Sequence, residues 1–182
     1  MTLTLYKWSI ERYHEAIDAG LFDDRAVELL QGDIVVMPPE REAHACYSSD
    51  GADSLRRVLG DRASVRETKP ITLPNNSEPI PDIAIVKPPL RRYLEHHPYP
   101  EDIFWLIEYS NTTLAKDLGE KKQVYAEAGI GEYWVVDLQN LQLKVFRDVS
   151  EGDYRTELTR VDGTISPVSF PDVAIDVERL FR

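Results

Sequence analysis

Three acidic residues of this 182-residue chain stand inside apolar runs, where a carboxylate is out of place. Glu28 lies within Ala-Val-Glu-Leu-Leu, Asp82 opens Ile-Ala-Ile-Val, and Glu108 lies within Trp-Leu-Ile-Glu-Tyr. A buried carboxylate is costly unless it is paired or bound to a cation. One such acid reads as a strand end or an internal salt bridge; three in a small chain favour a shared site. Carboxylate oxygens suit hard cations, and Mg²⁺ takes one or two acids while keeping several waters. A zinc reading fits poorly. Cys46 is the only cysteine, and the four histidines are scattered: His96-His97 in a Pro-rich stretch, His14 and His44 each alone on a predicted helix. His44 reads as a packing residue or as part of the lining of the acidic site. Cys46, among small and polar neighbours, reads as structural.

A cation is available close by. Asp117, Lys121 and Tyr125 are spaced four apart and share one face of a predicted helix. The plain alternative is a surface Asp–Lys pair beside a half-buried Tyr. However, this helix leaves the strand of Glu108 by a short turn, so its first turns can fold back over that strand's C-terminal end. Ligands in crossover sheets bind at that end. A Lys beside metal-bound carboxylates can orient a water and offset charge on a phosphoryl oxygen.

The elements that must position these residues follow from periodicity and punctuation. Ser9 to Leu21 reads as a helix with Ser9 as N-cap. Val27 to Met37 reads as a hairpin closed by Pro38-Pro39, and Arg41 to Leu59 as a second helix with a weak point at Asp50-Gly51. Ser64 to Thr68 and Ile71 to Leu73 read as strands, 74–81 as a loop, and Asp82 to Val86 as a short strand. Residues 87–100 read as a flexible Pro-rich surface loop. Ile103 to Tyr109, a polar turn at 110–113, the helix Leu114 to Ala128 and the strand Glu132 to Asp137 form a strand–helix–strand unit. Such a unit favours parallel pairing with a right-handed crossover. Leu141 to Arg147 and Tyr154 to Thr159 read as antiparallel strands, and Asp176 to Phe181 as a closing helical turn. The sum is an α/β protein: a mixed sheet with helices against it.

The ordered set Pro81-Asp82, Glu108, Lys resembles the PD-(D/E)xK nuclease superfamily, although the usual place of the Lys, two residues after the Glu, holds Ser110. That departure is similar to one branch, the Uma restriction-endonuclease family. The family has a strand ending in Glu-Val-x-Ser-Pro-Ser, a helix Asp-x-x-x-Lys-x-x-x-Tyr, and then Ala-Gly-Val-x-Glu-Tyr-Trp-x-Val-Asp. This chain reads Glu108-Tyr109-Ser110-Asn111-Thr112, then Asp117, Lys121 and Tyr125, then Ala128-Gly129-Ile130-Gly131-Glu132-Tyr133-Trp134-Val135-Val136-Asp137. Upstream, Glu28-Leu29-Leu30-Gln31-Gly32-Asp33-Ile34 and His44 resemble the family's opening hairpin and helix. The likeness spans roughly residues 10–150. It implies a restriction endonuclease-like core around a mixed sheet, with Asp82 and Glu108 binding Mg²⁺ (or Mn²⁺) and Glu28 a further acid nearby. Lys121 takes the Lys role from a helix; Lys122 adjoins it, and helical phase with Asp117 and Tyr125 selects Lys121.

Length and composition set the outer bounds. At this length the expectation is one domain over 1–182, with the core at about 10–150 and strands plus a short helix at 151–182. No apolar run approaches the ~20 residues of a membrane span. The first eleven residues lack a secretory leader pattern, and a single cysteine fits a reducing cytoplasm. The formal net charge of -11 argues against coating nucleic acid by charge alone. One block is nevertheless basic: Arg56, Arg57, Arg62, Arg66, Lys69, Lys87, Arg91 and Arg92. It reads either as solvated helix-end and loop charge or as a phosphate-contacting patch, with Arg56, Arg57, Arg91 and Arg92 tracking the backbone. The expected activity is metal-dependent hydrolysis of DNA phosphodiester bonds, by a homodimer if both strands are cut. The rival expectation is a binding module that keeps the fold without cleavage.

Overall fold

The computed structural model describes residues 4–182. The chain opens with α1 (Ile10–Asp18), capped by the Ser9 hydroxyl, which accepts from the Arg12 N–H. An antiparallel hairpin follows, β1 (Val27–Leu30) and β2 (Asp33–Val36), and then α2 (Glu42–Leu59). The helix runs unbroken through Asp50-Gly51. Gly51 is required there by packing: a Cβ at this position would sit 1.9 Å from the Tyr109 hydroxyl.

The remaining strands are β3 (Ser64–Glu67), β4 (Ile83–Val86), β5 (Ile103–Ser110), β6 (Glu132–Asp137), β7 (Gln142–Ser150) and β8 (Asp153–Arg160), with the short β9 (Thr164–Ile165) and β10 (Ile175–Asp176) beyond them. Strands β3 to β8 form one six-stranded sheet in sequence order. All neighbours are antiparallel except β5 and β6, which are parallel. That exception is the expected crossover. The connecting helix has three parts: α3 (Leu114–Lys116), a wider π-helical turn (Asp117–Lys121) and α4 (Lys122–Glu127). The β7–β8 hairpin turns at Glu151-Gly152, both with positive φ (53° and 75°), the pairing a tight hairpin demands.

Period-2 alternation sends the sheet's side chains to two cores. Ile83, Ile85, Trp105, Ile107, Trp134 and Val136 meet Ala52, Leu55 and Leu59 of α2 and the C-terminal residues Val173 to Phe181. Ala84, Val86, Leu106, Tyr133 and Val135 meet Val124, Tyr125 and Ala126 of α4. The architecture is a mixed sheet flanked by helices, as expected. A third, smaller cluster of Tyr13, Val27 and Leu29 binds α1 to the hairpin. No helix among the described residues is long and apolar enough to cross a membrane.

Three further expectations need correction. Ile71 to Leu73 is not a ladder strand: the N–H groups of Ile71, Thr72 and Leu73 donate to the loop carbonyls of Pro79, Pro98 and Ser77. Prolines on both sides deny this segment a continuous ladder. The 114–128 helix is not uniformly α-helical. Asp176 belongs to β10, and the closing helical turn is only Glu178–Leu180.

Candidate functional site

The C-terminal end of β5 opens into a cavity of about 130 Å³. Glu28, His44, Asp82, Glu108, Asp117 and Lys121 all line it, so the acids singled out in the sequence converge. The sheet register explains two of them. Ile83 pairs with Ile107, so Asp82, one residue earlier, falls alongside Glu108 and accepts the Tyr109 N–H at 2.6 Å. Glu28 arrives on β1, and Lys121 on the π turn.

Each carboxylate has distinct partners. Asp82 uses Oδ2 for the Tyr109 N–H and for His44 Nε2 at 2.9 Å, and His44 Nδ1 lies 2.9 Å from Glu40. Glu108 uses Oε1 for both the Lys121 ammonium at 2.8 Å and the Tyr125 hydroxyl at 2.7 Å. Among the described residues no hydrogen bond reaches Asp82 Oδ1 or Glu108 Oε2. Glu28, wholly buried, is fully engaged: Lys116 donates to Oε1, the Ile80 N–H donates to Oε2, and Lys121 lies 3.6 Å away. Asp117 Oδ2 accepts from the hydroxyls of Ser110 and Thr113, each at 2.7 Å. Lys122 turns away onto the Phe146 ring, so of the adjacent pair it is Lys121 that lines the cavity.

The electrostatics separate the acids. Burial pushes the Glu108 carboxyl up, to about 8; Lys121 opposes this, and Asp82 and Asp117 add to it. Burial also raises Asp117 against the pull of Lys121 and its two hydroxyl donors. Glu28 goes the other way: burial would raise it, but Lys121, Lys116 and the Ile80 N–H hold it below its ordinary value. Burial alone would lower Lys121, yet Glu108, Glu28, Asp117 and Asp82 outweigh it and keep the ammonium charged. His44 is likewise pushed up, to about 9, because its bonds to Asp82 and Glu40 outweigh burial.

These features bear on the cation the residues could hold. No group of three or more His, Cys, Asp or Glu is arranged to hold a metal among the described residues. That does not exclude Mg²⁺, which needs only one or two acids and completes its shell with water. Asp82 Oδ1 and Glu108 Oε2 fit that requirement.

The expected basic patch is not gathered here. Arg56, Arg57, Arg91 and Arg92 all lie outside the cavity lining. Arg56 is held by Asp53 and Glu67, and Arg92 by Asp102. Arg62 is held by Asp172, while Arg66 lies over the Tyr93 ring. Among the described residues, the cavity's own lysines and arginines are Lys121, Lys116 and Arg41. Sequence reasoning missed the last two, since neither interrupts an apolar pattern.

The motif after the helix is built for support. The Tyr133 hydroxyl donates to the Asp117 carbonyl at 3.0 Å and holds the π turn that carries Lys121. Glu132 receives Trp134 Nε1, Arg147 and the Val168 N–H. Asp137 accepts the N–H groups of Gln139 and Asn140 and fixes the β6–β7 turn.

A solved structure titled as a putative nuclease belonging to DUF820, from Anabaena variabilis ATCC 29413, matches with a TM-score of 0.69 at 17% identity. The match covers 87% of this chain and 90% of that one. At such identity the likeness is one of fold. No curated protein matches. The model of the Uma2 family, described as "Putative restriction endonuclease", matches residues 10–178, past the expected limit at 150 and through the C-terminal segment. The chain belongs to the Uma2 family.

Proposed function

We propose that this protein is a divalent-metal-dependent nuclease that hydrolyses phosphodiester bonds in DNA, with Asp82 and Glu108 holding Mg²⁺ or Mn²⁺. The observation that carries the reading is the pair of acids, each with one oxygen outside every hydrogen bond, beside a buried charged Lys in an open cavity. Family membership supports the same chemistry. A bound divalent cation polarises a phosphate and lowers the pKa of a coordinated water. The chain's own residues do the rest. His44 and the Tyr109 N–H fix the Asp82 carboxylate, and Tyr125 fixes Glu108. Lys121, steered by Glu28 and Glu108, sets a preorganised positive charge where a phosphoryl oxygen gains negative charge. Asp117 holds the start of the helix to Ser110 and Thr113. Cutting both strands of a duplex needs two sites, which a homodimer supplies by symmetry. The single cysteine supports a cytoplasmic setting.

The test is nicking of supercoiled plasmid in Mn²⁺ or Mg²⁺. Wild type is expected to nick, and Asp82→Ala and Lys121→Ala each to lose on the order of 10²–10³-fold. A second reading, a binding module without cleavage, is favoured by the net charge of -11 and by the ion-paired state of Arg56 and Arg92. Wild type that neither nicks nor gains thermal stability in millimolar Mn²⁺ decides for that module.

A further inference from the structure

Lys116 has no part in the roles assigned so far, yet its ammonium reaches across 88 residues of sequence separation to Glu28. Its side chain is 23% exposed, against 5% for Lys121, so it stands at the cavity mouth while Lys121 lies at the floor. Glu28 can spare it. With Lys116 gone, that carboxylate keeps the Ile80 N–H and the Lys121 ammonium 3.6 Å away. A buried carboxylate with two cations therefore holds one on loan. Lys116 is followed directly by Asp117 and preceded by the polar Asn111-Thr112-Thr113 turn, all of which line the same cavity. A lysine on a flexible four-carbon stem is a mobile point charge suited to a phosphate. Two of the arginines expected to track a backbone, Arg56 and Arg92, are tied to acids outside this cavity.

We infer that Lys116 is the phosphate-binding arm of the site, stored on Glu28 and exchanged onto the nucleic-acid backbone when substrate enters. The inference rests on the nuclease reading and names the group that grips substrate next to the reacting phosphate. It also explains Glu28: a carboxylate whose acceptor capacity is already used holds the two lysines in place.

The test is fluorescence anisotropy of a labelled mixed-sequence duplex in Ca²⁺, a hard cation for the same oxygens, titrated with salt. Lys116→Met is expected to reduce the slope of log K against log salt by about 0.9, the yield of one lost phosphate contact. Lys116→Arg is expected to keep the wild-type slope. The Mn²⁺-dependent thermal shift of Lys116→Met is expected to match wild type, which also shows that the variant folds. A wild-type slope in Lys116→Met overturns the inference and leaves the nuclease reading standing. Loss of the metal-dependent shift, or failure of Arg to rescue, makes Lys116 structural and overturns it as well. If wild type neither binds the duplex nor nicks plasmid, both readings fall together.

Discussion

Glu108 on β5 and Glu132 on β6 are buried carboxylates on neighbouring parallel strands, each exposed by no more than 3%. Their surroundings differ in one respect. Glu132 spends both oxygens: Oε1 takes Trp134 Nε1 at 2.7 Å and Arg147 at 2.8 Å, and Oε2 takes the Val168 N–H at 2.7 Å. Its charge is met by Arg147 and its lone pairs by the fold, so it ties β6, β7 and the C-terminal segment together. Glu108 spends one oxygen and faces a cavity; burial pushes its carboxyl up against the pull of Lys121, and Asp82 and Asp117 add to the rise. Burial of an acid therefore does not mark a site. Unused acceptor capacity facing a cavity is the better guide.

Three experiments press on that contrast, in order of expected effect. Glu108→Gln should lower metal-dependent nicking on the order of 10²–10³-fold, whereas Glu132→Gln, where it folds, should nick like wild type. Comparable losses in both would erase the distinction. Next, Arg147→Met should cost about 3–5 kcal/mol in urea unfolding at neutral pH, because it strands a buried charge. Lys121→Met should cost less, since Glu108 can take up a proton and Glu28 keeps Lys116. Smallest is the pH response of His44 in metal-free protein. Its folded pKa, about 9, lies above the ordinary 6.5, so its contribution is complete below the lower value and is lost as pH rises through the upper one. The Tm gap between wild type and His44→Gln should thus be widest at about pH 6 and close by about pH 10. A gap that widens with pH would mean that Asp82 and Glu40 do not hold the imidazolium.

Much of this could be read from sequence, for physical reasons. Strands β4, β5 and β6 are apolar on both faces, so Asp82 and Glu108 stood out by contrast. Glu132 carried the same signal, an acid heading Tyr-Trp-Val-Val, and nothing local distinguishes its full coordination from the open one of Glu108. The difference lies in Arg147 and Val168, which only the fold brings near. The two readings of the arginine block could not be separated for a related reason: Arg62 meets Asp172, a partner 110 positions away. Lys116 was invisible because it sits in the first turn of the helix after β5, where a lysine breaks no pattern. The Asp50-Gly51 weak point was misjudged because the reason for the glycine, the Tyr109 hydroxyl, is on another element. The π turn likewise receives a hydrogen bond from Tyr133, on a strand beyond the helix.

The hairpin that carries Glu28 is not hydrogen-bonded into the six-stranded sheet; it has its own two-stranded ladder and its own small cluster with α1. Lys121 is fastened to both pieces, to Glu108 of the sheet and to Glu28 of the hairpin. Two-stranded hairpins are marginal by themselves. Completion of the site therefore requires the docking of a weak unit, since its closing contacts join parts of the chain far apart in sequence. A molecule whose sheet has formed but whose hairpin has not docked leaves Lys121 without Glu28, one of the four acids that keep it charged. Such a chain would look nearly native in its strand content while its chemistry waited on the N-terminal helix.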